Sequence, residues 1–118
     1  MTVSNALAGV AVNDLGTAAS WYERVFKRPA DNRPMPEVAE WRFPKGGWLQ
    51  VFQDKTRAGG SSVTLAVSDL EEQLRQLEAE GIKIGKATNA DIVKTALVTD
   101  PDGNQLVFAE ATSDNIAS

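Results

Sequence analysis

A repeated segment is the feature of this sequence that most limits the folds it can adopt. The run VAVNDL at 10–15 returns as LAVSDL at 65–70. In each copy an alternating strand leads into an Asp that can accept a backbone N–H at the start of a helix. Similarity between two distant segments indicates a repeated structural unit. The chain is therefore predicted to contain two modules that each begin with a strand followed by a helix.

Both predicted helices show apolar residues at helical spacing. The first runs from about Leu15 to Lys27 and ends before Pro29. Its predicted buried face consists of Leu15, Ala18, Ala19, Tyr22, Val25 and Phe26. The second runs from about Leu70 to Glu80 and aligns three leucines, and Gly81 is placed to end it in a left-handed conformation.

Strand-like runs broken by turn residues follow each helix. The predicted hairpins pair Val38 to Phe43 with Trp48 to Gln53, and Ile92 to Thr99 with Asn104 to Glu110; weaker strands lie near Ala30 to Arg33 and Ile82 to Lys86. One domain is expected, with module one at about 5–54, module two at about 60–110 and a tail at 111–118. The predicted fold class is α+β, with two strand-helix-strand-strand-strand modules.

Composition excludes several functions. The chain has no Cys and no His, so disulfides, thiolate chemistry and imidazole catalysis are impossible. Sixteen acidic and twelve basic residues give a net charge of -4, without a basic stripe that could follow a phosphate backbone. We therefore expect no nucleic acid partner. No apolar run approaches the roughly 20 residues of a membrane span, so a soluble cytoplasmic protein is expected.

Strand alternation predicts which side chains face away from the helices, because residues i and i+2 share a face. In the first strand of each module this places Leu7, Ser62 and Thr64 away from the helix. Pairing Phe43 with either Trp48 or Gln50 assigns Trp41, Phe43, Trp48, Gln50 and Phe52 to one face. The second hairpin is predicted by the same argument to place Lys94, Ala96, Val98, Gln105, Val107 and Ala109 together.

The predicted cavity therefore has one aromatic wall and one wall of mostly small residues. Two interpretations remain open: the aromatic rings line a ligand pocket, or they fill the interior of a small barrel. Lys94 is either an anion-binding or basic group, or a side chain that reaches water from the strand entrance. Glu37 and Glu40 are interpreted as solvent-facing carboxylates and are not assigned to the site.

Two such modules, with the Asp-Leu helix entry in each and DPDGNQLVF at 100–108, resemble the vicinal oxygen chelate superfamily of glyoxalases, bleomycin resistance proteins and extradiol dioxygenases. The resemblance extends from about Leu7 to Glu110. It implies a partly open, eight-stranded mixed barrel whose concave side holds the ligand. It also implies a homodimer.

In catalytic relatives a divalent metal is held at four strand positions. The resemblance carries these positions onto Leu7, Gln50, Ser62 and Val107. Of these side chains only Gln50 and Ser62 have an oxygen atom, and two neutral groups are too few for a divalent ion. No metal, no cofactor and no metal-dependent catalysis are therefore expected.

The pattern resembles the bleomycin-resistance branch most closely. It implies metal-independent binding of a small molecule, either an aromatic or cationic drug or an aromatic metabolite that the protein sequesters. The candidate ligand-binding residues are Leu7, Trp41, Phe43, Trp48, Gln50, Phe52, Ser62, Thr64, Lys94 and Val107. The alternatives are a metal-free lyase or isomerase of the same superfamily, and an interaction module whose trough is closed.

Overall fold

The computed structural model describes residues 2–89 and 93–111. Across these residues the chain forms two helices and two four-stranded mixed sheets. The elements are β1 Leu7–Val12, α1 Leu15–Phe26, β2 Asn32–Met35, β3 Val38–Arg42, β4 Trp48–Gln53, β5 Ser62–Ala66, α2 Leu70–Ala79, β6 Ala87–Asn89, β7 Val93–Thr99 and β8 Gln105–Ala111. The predicted α+β class and its partly open barrel are confirmed.

The two sheets have the same topology. The first has the order β1-β4-β3-β2 and the second the order β5-β8-β7-β6. The first and last strands of each module are parallel neighbours, whereas the remaining pairs are antiparallel. Each module therefore completes a sheet of its own.

Both helices begin at the predicted aspartates. Asp14 Oδ2 accepts a hydrogen bond from the Thr17 backbone N–H at 2.9 Å, and Asp69 Oδ1 accepts one from Glu72 at 3.1 Å. Such caps satisfy backbone donors that have no partner within the helix. Gly81 follows α2 with a φ of +76°, as predicted for the residue that ends it.

The core lies between each helix and the sheet that it covers. Tyr22 and Phe26 of α1 pack on the Trp41 ring with centroid distances of 6.0 and 5.6 Å. Leu49 and Val51 of β4 are fully buried beneath the same helix face. Burying one such large apolar side chain contributes about 1.5–3 kcal/mol.

The weaker strands differ most from the prediction. The segment from Ile82 to Lys86 is not a regular strand. The Ile82 N–H donates to Leu77 O at the end of α2, whereas Gly85 and Lys86 bond to Leu97 of β7 just before β6 begins. The edge strand β6 follows it, at Ala87–Asn89. In the first module β2 spans Asn32–Met35, two residues beyond the predicted start.

The described residues end at Ala111, which belongs to β8 and not to the predicted tail. Ile92, where the seventh strand was predicted to start, lies outside the described residues, as does the rest of the predicted tail at 112–118. Within the described part of the chain, no helix is long and apolar enough to cross a membrane.

Both long hairpins turn through three residues. Phe43 N donates to Gly47 O at 2.9 Å, and Asp100 N donates to Asn104 O at 2.9 Å. The third loop residue is a glycine with positive φ in each case, +101° at Gly46 and +100° at Gly103, as expected for a three-residue hairpin. An odd loop length puts Arg42 opposite Trp48 and shifts the predicted register by one residue.

Candidate functional site

The first sheet carries three rows of three side chains on the face that α1 leaves uncovered, which we call the first open face. The rows are Leu7, Trp48 and Arg42; Gly9, Gln50 and Glu40; and Ala11, Phe52 and Val38. The alternate residues of β4, Leu49 and Val51, are buried on the helix side. The open face therefore has a residue set distinct from the helix-side cluster, although Ala11 and Val38 on it are also buried.

Two arginines stack on the aromatic rings of the first open face. The Arg42 guanidinium lies 5.1 Å from the centroid of Trp48, and that of Arg57 lies 5.1 Å from the centroid of Phe52. A Cβ placed on Gly9 would lie 3.3 Å from Phe52 Cε1. The ring thus lies close over the backbone of β1, where a residue without a side chain leaves space for it.

A carboxylate-amide pair lies between the two stacked rings. Gln50 Nε2 donates to Glu40 Oε2 at 2.8 Å, and Glu40 is only 8% exposed. The sequence interpretation of Glu40 as a solvent-facing group is wrong. A three-residue loop at 44–46 would have placed Glu40 opposite Gln50, so the Pro-Lys-Gly turn was the signal that could have identified it.

The second sheet has an equivalent surface, the second open face, made of smaller and neutral side chains. Its rows are Ser62, Gln105 and Thr99; Thr64, Val107 and Leu97; and Ala66, Ala109 and Thr95. None of these nine residues is aromatic or charged. The predicted contrast between an aromatic wall and a wall of small residues is therefore present, although the individual residues differ.

Three of the predicted site residues lie on the helix side instead. Trp41 is fully buried and its Nε1 donates to Arg28 O at 3.1 Å. Phe43 packs edge-on against Phe26 with a centroid distance of 5.4 Å. Lys94 shares its face with the buried Ala96. The register shift of the two hairpins explains all three errors, because a slip of one residue reverses every side chain of a strand.

The other seven predicted residues lie on the two open faces. Leu7, Trp48, Gln50 and Phe52 are on the first, and Ser62, Thr64 and Val107 are on the second. The structure also adds Glu40, Arg42 and Arg57 to the first open face. The aromatic side chains there are consequently surrounded by hydrogen-bonding and charged groups.

The four positions implied for a metal do not fit a divalent ion. Leu7 and Val107 are apolar, Ser62 offers one neutral hydroxyl, and Gln50 offers one neutral amide oxygen while its Nε2 donates to Glu40. Within the described ranges, no three His, Cys, Asp or Glu side chains come together as a potential metal site. A divalent cation generally requires several carboxylate, imidazole or thiolate ligands. The donor set is therefore wrong for the metal chemistry of catalytic relatives.

A seam joins the modules where β1 meets β5. Asn104 Nδ2 donates to Ala11 O at 2.8 Å, and Ser61 Oγ accepts from Ala11 N at 3.1 Å. Nearby, the fully buried Tyr22 donates its hydroxyl to Asp100 Oδ2 at 2.8 Å. Burial, and secondly the Asp100 charge, raises the pKa of Tyr22 far above its ordinary value.

At the other end of the seam, the modules separate to form a cleft of about 760 Å³, which we call the intermodule cleft. Four of the predicted site residues line it: Leu7, Phe43, Trp48 and Thr64. Leu7 and Trp48 also belong to the first open face. The cleft and that face therefore adjoin each other.

Comparisons with known proteins agree with this architecture. The family model described as Glyoxalase/Bleomycin resistance protein/Dioxygenase superfamily matches residues 5–108. A glyoxalase/bleomycin resistance protein from Catenulispora acidiphila DSM 44928 is 31% identical, with 92% of this chain and 99% of that chain covered and a TM-score of 0.86. No curated protein matches the sequence.

Two further solved structures share the fold at lower identity. A bleomycin-binding protein complexed with bleomycin is 22% identical over 92% of this chain and 98% of that one, with a TM-score of 0.75. An antibiotic-binding protein from Streptomyces sp. CB03234 is 19% identical over 95% of this chain and 99% of that one, with a TM-score of 0.80.

Proposed function

Because this chain belongs to the glyoxalase/bleomycin resistance protein/dioxygenase superfamily, we propose that it binds a small planar molecule without a metal ion and sequesters it unchanged. The ligand lies on the first open face. The observation that carries the proposal is the arrangement there of two arginine-stacked rings on either side of the Glu40–Gln50 pair.

The chemistry of that face favours a planar aromatic ligand that carries a hydrogen-bond donor. Trp48 and Phe52 are half-buried, so their rings are partly accessible. Arginine guanidinium groups stack on the faces of planar aromatic rings. Glu40 provides an acceptor for an amine or amide of the ligand, and a hydrogen bond to a buried carboxylate is stronger than a neutral one.

The second open face supports the same proposal as a neutral wall. Ser62 and Thr64 offer hydroxyl groups, whereas Val107 is apolar. Two of the solved structures with this fold are described as binding bleomycin or an antibiotic. For this chain we propose the same class of ligand, a drug or an aromatic metabolite, bound by a cytoplasmic homodimer.

The size of such a ligand is compatible with useful affinity. A molecule of roughly 25 heavy atoms at about 0.3 kcal/mol per atom gains about 7–8 kcal/mol. This corresponds to a dissociation constant in the micromolar range. No metal-ligand bond is needed to reach that value.

The experiment is calorimetric titration with metal-free bleomycin and with 9-aminoacridine, in excess EDTA. At least one compound is expected to bind with micromolar affinity and to be recovered chemically unchanged. Glu40→Gln should weaken 9-aminoacridine binding about tenfold, the loss of about 1.4 kcal/mol expected for one charge-assisted hydrogen bond. The matched control is Glu37→Gln, because Glu37 is an exposed carboxylate just before β3.

Four results would contradict the proposal or a part of it. Failure of both compounds to bind refutes it for this class of ligand. Equal ligand affinities of Glu40→Gln and Glu37→Gln would show that the Glu40 carboxylate does not contribute to binding. Chemical conversion of the bound compound in EDTA would identify a metal-free lyase or isomerase instead. Sedimentation that shows only monomer at tens of micromolar contradicts the homodimer.

A further inference from the structure

The turns of the two long hairpins are equivalent, and this fixes which residues correspond between the modules. Gly46 N donates to Phe43 O at 3.0 Å, and Gly103 N donates to Asp100 O at 3.0 Å. The turns PKGG at 44–47 and PDGN at 101–104 therefore superpose residue by residue. Gly47 stands in the first module where Asn104 stands in the second.

At the closed end of the seam, side chains bond to the exposed backbone edge of β1. Asn104 binds Ala11 O, and Ser61 Oγ binds Ala11 N. Ser61 N in turn donates to Asn104 Oδ1 at 2.8 Å. The first two hydrogen bonds hold β1 against the start of β5, and the third fixes Ser61 and Asn104 relative to each other.

At the opposite end, the equivalent bonds cannot form. The repeat aligns Ala11 with Ala66 and Ser61 with Ala6, and Gly47 takes the place of Asn104. Neither Ala6 nor Gly47 has a polar side-chain atom to bond the β5 backbone. Ala6, Gly47 and Ala66 all line the intermodule cleft. The cleft therefore lies at the end of the seam where these side-chain hydrogen bonds are missing.

The cleft is lined mainly by apolar and aromatic side chains. On one side lie Phe26 and Phe43, whose rings meet edge to face. On the other side lie Leu65 and Phe108, which also belong to the hydrophobic core. Lys45, in the exposed turn, is the one charged residue among the described residues that line the cleft. Burying a charged ligand group against such walls is costly.

We propose that the intermodule cleft is a second ligand site, which takes an uncharged aromatic molecule. Its volume of about 760 Å³ lies within the range of small-molecule sites, roughly 300–1,000 Å³. Edge-to-face contacts with Phe26 and Phe43 add specificity for aromatic rings to the apolar contact area. This site is separate from the Glu40–Gln50 pair, which does not line the cleft.

The test uses the neutral fluorophore N-phenyl-1-naphthylamine, whose emission rises in an apolar environment. The wild-type protein is expected to give a saturable increase with one site per chain. The matched charged probe is 1-anilinonaphthalene-8-sulfonate, which has the same aromatic frame plus a sulfonate and should bind at least about tenfold more weakly. Equal or tighter binding of the sulfonate would overturn the assignment of an uncharged ligand.

Two variants locate the neutral probe. Ala8→Phe adds a ring from the helix side of β1 into the cleft and should weaken binding at least about tenfold. Gly47→Asn introduces at position 47 the residue found at the equivalent position 104. A Cβ built on Gly47 meets nothing within 4 Å. This variant should weaken binding by closing the seam. Ala87→Phe is the control, because Ala87 is an exposed alanine on β6 outside the cleft.

Each outcome decides the matter. Loss of probe binding in Ala8→Phe or Gly47→Asn, with retention in Ala87→Phe, supports the cleft. Absence of saturable binding to the wild type, or equal loss in the control, overturns it. Apparent affinity that falls as protein concentration rises would mean that a second copy of the chain occupies the cleft instead. Circular dichroism of each variant distinguishes these outcomes from unfolding.

Discussion

The hydrogen bond between Tyr22 and Asp100 allows the strength of the intermodule contact to be measured with a single-atom change. Tyr22→Phe removes the hydroxyl but retains the ring that packs on Trp41. A hydrogen bond to a charged group contributes about 1.5–3 kcal/mol. Because Asp100 Oδ2 keeps the bond from Asn104 Nδ2 at 2.8 Å, a value of about 2 kcal/mol is expected.

The expected loss can be converted into a melting temperature. Unfolding entropy of about 2.1 cal/mol/K per residue gives about 0.25 kcal/mol/K for a chain of 118 residues. A loss of about 2 kcal/mol then lowers Tm by about 8 °C. Thermal melts followed by circular dichroism, together with urea titrations at neutral pH, measure both quantities.

Ser20→Ala provides the control, since it removes an exposed hydroxyl from the same helix. Its effect on Tm is expected to be close to zero, because alanine is at least as favourable as serine within a helix. If Tyr22→Phe changes Tm no more than this control does, the bond to Asp100 does not stabilise the intermodule contact, and the reasoning is refuted.

Two further predictions concern the same region. The chain has one tyrosine, so the increase in absorbance at 295 nm on phenolate formation reports Tyr22. The raised pKa of Tyr22 favours the protonated, folded form, so its contribution to stability is present below about pH 10 and is lost as the pH rises above that value. Phenolate should appear only together with unfolding, and titration near pH 10 with a native circular dichroism spectrum would contradict this. Asn104→Ala leaves the N–H of Ser61 and the carbonyl of Ala11 without their partners. It should lower the free energy of unfolding measured in urea titrations by about 3 kcal/mol. A loss below about 1 kcal/mol would show that water replaces the amide.

The sequence predicted the elements well because their signals are local. The caps Asp14 and Asp69 and the apolar helix faces lie within one or two turns of chain. The two long hairpins were also correctly placed. The register of these hairpins was predicted wrongly. Pro-Lys-Gly and Pro-Asp-Gly form loops of three residues, whereas the predicted pairing required loops with an even number of residues. One residue of loop length decided the positions of Trp41, Phe43 and Lys94.

The relative placement of the modules was beyond sequence patterns for a different physical reason. It depends on hydrogen bonds between residues far apart in the chain, such as Asn104 with Ala11. The sequence pattern predicts that Asn104 begins a strand, and nothing in its neighbours indicates a partner in the first module. The intermodule cleft could therefore be recognised only after the modules were seen together.

The parallel pairing of β1 with β4 also has a consequence for synthesis of the chain. Val10 lies opposite Val51, so the first strand of a nascent polypeptide cannot pair with the fourth until the fourth has left the ribosome. The Leu15 N–H likewise receives its acceptor from Gln53 at 3.0 Å. At about 5–20 residues per second, the first strand waits a few seconds for its neighbour, and a chain released early exposes an unpaired edge that favours aggregation.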